Sequence, residues 1–101
     1  MKLLTKALEK RFAEIGRQEN SRDPIVVAKF FNPTGAGTWY ATEYYPDERL
    51  FFGYAVIQVG EWGYFSLDEL ESYRGRFGLG IERDLYWDET PASEVLEKHL
   101  V

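Results

Sequence analysis

From residue 50 to residue 59 the chain is apolar at almost every position, on both of the alternating sets that a strand presents. Leu50, Phe52, Tyr54 and Val56 form one set, and Phe51, Gly53, Ala55 and Ile57 the other. A strand that is apolar on both faces must be covered on both, which predicts that residues 50–59 lie near the middle of the fold. Upstream the period changes. Leu8, Phe12 and Ile15 fall at i, i+4 and i+7, an amphipathic helix over Lys6–Ile15 with Thr5 as its N-cap and Gly16 as its stop. Residues 17–24 are polar and predict a loop. The β-branched and aromatic run 25–31 predicts a first strand, and Thr38–Tyr45 a second, with turn chemistry at 32–37 between them. The tight connection 46–49 makes Thr38–Tyr45 and residues 50–59 an antiparallel hairpin.

Beyond the central strand, residues 60–63 read as a turn feeding a short strand, Tyr64 and Phe65. Ser66-Leu67-Asp68-Glu69 has the spacing of a capping box, so a helix starts there and runs to about Arg74, ended by Gly75, with Leu67 and Leu70 toward the sheet. After a glycine-rich basic loop, residues 81–87 read as a strand. Ile81, Leu85 and Trp87 share one of its faces, Glu82, Asp84 and Tyr86 the other, and Arg83 falls on the apolar side. Thr90 as N-cap and Pro91 at the first helical position open a last helix to about His99, anchored by Val95 and Leu96. The expected fold is α+β. It is a single domain over residues 1–101, a mostly antiparallel sheet of about five strands with an N-terminal helix, a capped middle helix and a C-terminal helix.

Composition sharpens this in three places. Of the three Trp, seven Tyr and seven Phe, twelve lie between Phe30 and Phe65, so the core is densest there. The absence of cysteine removes disulfides, thiolate metal sites and cysteine nucleophiles, and fits a reducing interior. Net charge is −5. Its acidic excess sits after residue 49, where four basic residues face ten acidic ones. No basic stripe appears, which argues against strong duplex nucleic-acid binding, while the acidic half suits a basic partner or a solvated surface. Leu3 and Leu4 are too short a run for a signal peptide, and no apolar window reaches the roughly 18 residues of a membrane span. A cytoplasmic location without membrane association is expected.

The candidate chemistry is sparse. Glu82 and Asp84, two apart on a strand, could share a metal ion. Glu43, placed by a period of two on the face of its strand that bears Trp39, could complete a three-carboxylate set if the strands are adjacent, as a magnesium-dependent nuclease of single strands would need. Otherwise these groups line a solvated edge. His99 is the one histidine, and no serine stands in a nucleophile elbow, so no catalytic set and no cofactor are expected. Trp39, Tyr40, Tyr44, Trp62 and Tyr64 fit either a stacking platform for bases or an aromatic core with hairpin pairing. Arg74 and Arg76 flank Gly75, Gly78 and Gly80, either a backbone nest for a phosphate or carboxylate or a helix cap and turn. With the rings they could sequester a nucleotide.

Five blocks carry a resemblance: Lys29-Phe30-Phe31-Asn32-Pro33, Thr38-Trp39-Tyr40-Ala41-Thr42-Glu43, Phe51-Phe52-Gly53-Tyr54, Gly63-Tyr64-Phe65-Ser66-Leu67-Asp68-Glu69-Leu70 and Gly78-Leu79-Gly80-Ile81-Glu82-Arg83-Asp84. In this order, with the opening Met1-Lys2-Leu3-Leu4-Thr5, they resemble the bacterial domain-of-unknown-function family DUF2958 over nearly the whole chain. The resemblance implies a small cytoplasmic protein of plasmids, integrative elements and phages, with an accessory or counter-defence role, and it carries no catalytic residues onto these positions. The expected activity is non-catalytic binding of a macromolecular partner, a protein. Oligomeric state does not follow from the residues.

Overall fold

The structure, a computed structural model, describes residues 2–99. Helix α1, Lys6–Ile15, starts where the Thr5 hydroxyl accepts the Leu8 amide at 3.1 Å and stops at Gly16, whose φ of 71° few other residues adopt. Strands β1 (Ile25–Val26), β2 (Ala28–Phe31), β3 (Thr38–Tyr45), β4 (Leu50–Val56) and β5 (Gly60–Ser66) follow. Helix α2, Leu67–Ser72, begins at the predicted cap, with Ser66 Oγ accepting the Glu69 amide at 3.1 Å. Then come β6 (Glu82–Arg83), β7 (Thr90–Pro91) and α3 (Ala92–Lys98). The main sheet is antiparallel in the order β5-β4-β3-β2-β6, and β1 pairs with β7 beside it. The expected α+β architecture of three helices on a five-stranded antiparallel sheet is what the chain adopts.

The two faces of the sheet differ. One face carries Ala28, Phe30, Ala41 and Phe51, buried beneath α1 and α2 together with Leu3, Leu4, Phe12 and Leu70. Phe51 sits at its centre, fully buried, with ring centroids of Phe12, Phe30, Tyr44 and Phe65 at 4.9–5.8 Å. Among the described residues the other face is covered only over Tyr40 and its neighbours, by Val26, Ala92, Val95 and Trp87. The central strand is β3 rather than β4, and β4 is covered fully on one side only.

Several boundaries depart from the sequence expectation. The first strand breaks at Val27, whose amide bonds Ala41 O at 2.9 Å, so its halves join different sheets. Residues 57–59, not 60–63, form the hairpin loop, and Trp62 and Gly63 sit in mid-strand opposite Tyr54 and Gly53. The 81–87 strand is only Glu82–Arg83. Asp84 ends it by accepting the Tyr86 amide at 3.0 Å, which leaves Leu85 and Tyr86 exposed. Thr90 and Pro91 are strand, not cap and first turn, and α3 takes its cap from elsewhere in the chain.

The oddly placed Arg83 has a structural role. Its Nη1 donates to Lys2 O at 2.9 Å and Leu3 O at 3.0 Å, tying the N-terminal segment down where Leu3 and Leu4 enter the core.

Candidate functional site

A β-bulge builds the site. Ala41 pairs with Gly53 and Glu43 with Phe52, so Thr42 is an extra residue in β3. The insertion reverses the alternation beyond it. Glu43 would otherwise share the core face with Trp39 and Ala41. Instead it turns to the partly open face, and Tyr44 turns inward. Gly53 makes the bulge possible, because a Cβ there would lie 1.9 Å from Tyr40 O. The side chain of Gln18 satisfies the displaced backbone: Nε2 donates to Thr42 O at 2.7 Å and Ile25 O at 2.9 Å, and Oε1 accepts the Ile25 amide at 2.7 Å.

Glu43 is only 5% exposed. Its Oε2 accepts the Gln18 amide at 2.9 Å and its Oε1 accepts the Tyr45 hydroxyl. Burial first, and the bond to Glu43 second, push the Tyr45 phenol up to about 12. This carboxylate lies in a cavity of about 460 Å³ between the 17–24 loop, the bulge and the start of α3. Phe52 and Trp62 form its aromatic side, and Glu19, Asp23 and Arg22 supply its other charges. Asp23 ties the loop to α3: Oδ1 accepts the Ser93 amide at 2.8 Å and Oδ2 the Ser93 hydroxyl at 2.6 Å, which hold its carboxyl below the usual range.

The aromatic surface continues past the cavity. Trp62 stacks on Phe52 with centroids 6.1 Å apart and meets Tyr54 at 5.3 Å; Tyr64 meets Phe52 edge-on at 5.0 Å and Tyr45 at 6.2 Å. Trp62 is 41% exposed and Tyr64 65%. The Arg17 guanidinium lies 5.6 Å above the Tyr45 ring, so this face already holds one cation against an aromatic ring.

The five rings singled out in the sequence do not share a surface. Trp39 and Tyr44 pack on the core face. Tyr40 is buried, bonds His99 Nε2 at 3.0 Å through its hydroxyl and touches Trp87. Only Trp62 and Tyr64 are together on the open face, joined by Tyr45, Phe52 and Tyr54, which the sequence reading did not select. A correct β4–β5 register would have found them, since Phe52 pairs with Tyr64 and Tyr54 with Trp62. Arg74 folds back, its Nη1 donating to Glu71 O at 2.9 Å and Tyr73 O at 2.7 Å, and Arg76 stands exposed in the following turn. The amides of Gly75 and Gly78 bond Leu79 O and Gly75 O, so the glycine loop closes on itself.

Nor do the three carboxylates converge. Strand β2 separates β3 from β6, and Glu43 lies five residues, roughly 16 Å, along β3 from the row that contains Glu82. Asp84 pairs with Lys29 at 3.8 Å. Among the described residues no three Asp, Glu or His side chains are grouped to hold a metal ion, and no helix is long and apolar enough to cross a membrane.

The model of a family described as a protein of unknown function, DUF2958, matches residues 3–98. No curated protein and no solved structure gives a match.

Proposed function

The chain belongs to the DUF2958 family, and from its open sheet face we propose that it is a non-catalytic binding protein that seats basic side chains of a protein partner in the Glu43 cavity. The carrying observation is a buried glutamate, Glu43, among the residues that line a cavity together with Phe52 and Trp62. A guanidinium or ammonium entering there meets the Glu43 charge in a low-dielectric setting and an aromatic ring face at once, and both interactions strengthen as water leaves. The net charge of −5 favours approach of a basic surface. Trp62 and Tyr64 add the exposed aromatic anchors on which protein interfaces concentrate their binding energy. The cytoplasmic accessory or counter-defence setting on a mobile element that the resemblance implies suits such a binder, because blocking a host protein needs a complementary surface and no chemistry. No specific observation favours a nuclease or a nucleotide-sequestering protein.

The test is titration of the full chain with a short arginine-rich peptide, followed by calorimetry and tryptophan fluorescence, with a glutamate-rich peptide of equal length as control. Binding of the arginine peptide alone is expected, weakening with salt. Glu43→Gln and Trp62→Ala are each expected to weaken it about tenfold or more, the equivalent of ~1.4 kcal/mol. No binding, or equal binding of both peptides, sinks the proposal.

A further inference from the structure

Strand β5 is a seven-residue edge strand whose outer side nothing in the described structure covers. Gly60, Glu61, Trp62 and Tyr64 are exposed, and space around Gly63 is open, with no atom within 4 Å of where a Cβ would stand. Natural edge strands are guarded by lysine, proline, a bulge or a charge on the inward face. This one has no lysine, proline or bulge; its single charge, Glu61, lies on the core-face set one residue from Trp62, and the register below places it opposite no other charge.

The phase of its hydrogen bonds follows from the two ends of the β4–β5 ladder. The Leu67 amide bonds Arg49 O at 3.0 Å, and the Ile57 amide bonds Val59 O at 3.4 Å. Both pairs continue the ladder register, so the odd residues Glu61, Gly63 and Phe65 exchange bonds with β4. The N–H and C=O groups of Trp62 and Tyr64 therefore point outward, away from the sheet.

From this we infer that β5 pairs with β5 of a second copy of this chain, antiparallel about a two-fold axis at Gly63. In that register Trp62 of each copy lies opposite Tyr64 of the other, and these pairs are the ones whose outward groups can bond. Gly63 meets Gly63 at the axis, a non-bonded position where the chains come closest, about 4.5 Å between Cα atoms, and neither copy has a side chain there to obstruct. Glu61 lies opposite Phe65, so no like charges are paired. Opposed residues share a face, so the axis runs through the sheet and the aromatic faces of both copies form one surface. The two sheets become a continuous ten-stranded sheet, and the inference holds whatever that surface binds.

The chain lacks cysteine, so one introduced thiol can crosslink only to another copy. Under mild oxidation Gly63→Cys is expected to give a covalent dimer, since opposed non-bonded positions fall within disulfide reach. Glu61→Cys is the control: the two introduced thiols would stand four residues out of register, roughly 13 Å apart along the strand, and are expected to stay uncrosslinked. Sedimentation of the unaltered chain is expected to show a concentration-dependent dimer that strengthens with salt, as repulsion between two acidic copies is screened, and Gly63→Lys to return it to monomer. Equal crosslinking of both cysteine variants overturns this register. A monomer up to about millimolar concentration overturns the proposal outright and leaves the edge to a strand of another protein.

Discussion

Glu43 and Tyr45 stand two residues apart on β3 beyond its bulge, face the same side of the sheet, and share a hydrogen bond in which the Tyr45 hydroxyl is the donor. The phenol is held at about 12 in the folded chain against an ordinary 10. The folded state thus keeps a proton that the unfolded chain gives up sooner. The stability tied to that proton is whole below about pH 10 and is lost as pH rises toward 12. Tyr45→Phe is expected to be less stable than the parent at neutral pH and to converge with it in strong base, as thermal unfolding along a pH series will show.

Phe51 is the ring on which the helix-covered face closes. Phe51→Ala is expected to cost about 3–5 kcal/mol, since it removes a fully buried ring and opens a cavity between four others. Urea unfolding measures this, and Phe51→Leu is expected to cost clearly less.

Two glycines face each other across β4 and β5, with opposite expectations. At Gly53 a methyl would meet Tyr40 O at 1.9 Å, backbone that can yield only by undoing the bulge. Gly53→Ala is therefore expected to destabilise by about 1–3 kcal/mol or more and to disturb the Glu43 cavity, visible as altered peptide binding. Gly63→Ala meets nothing and is expected to leave stability nearly unchanged.

Asp23 supplies α3 with the cap that its own first residues lack. Its carboxyl is held below the ordinary value by the Ser93 hydroxyl, then by the Ser93 amide. Its contribution is accordingly present above the ordinary carboxylate range and disappears as pH falls through the depressed value. Asp23→Ala is expected to lower the melting temperature at neutral pH, with the difference shrinking in acid. Circular dichroism of the two proteins between neutral and strongly acid pH checks the sign.

What could be read from the sequence was what is local. Thr5, Leu8, Phe12 and Gly16 specify α1 within a few turns of chain, and Ser66 with Glu69 opens α2 in the same way. Residues 60–63 read as a turn because of their two glycines, which an edge strand accommodates equally well; as strand they place Trp62 and Tyr64 opposite Tyr54 and Phe52. The face of Glu43 could not be read at all by counting along β3. It depends on a bulge whose freed carbonyl is met by Gln18, 24 residues away. The cap of α3 is likewise contributed from 70 residues upstream.

The clasp of Arg83 on the main chain of Lys2 and Leu3 joins residues 80 or more positions apart, and this orders events on the ribosome. Leu3 and Leu4 share their core cluster with residues as late as Ile81, so that cluster is complete, and the Arg83 clasp can close, only once β6 has been synthesised. Closure of the whole loop comes late, so refolding should be slower than its short local helices would allow.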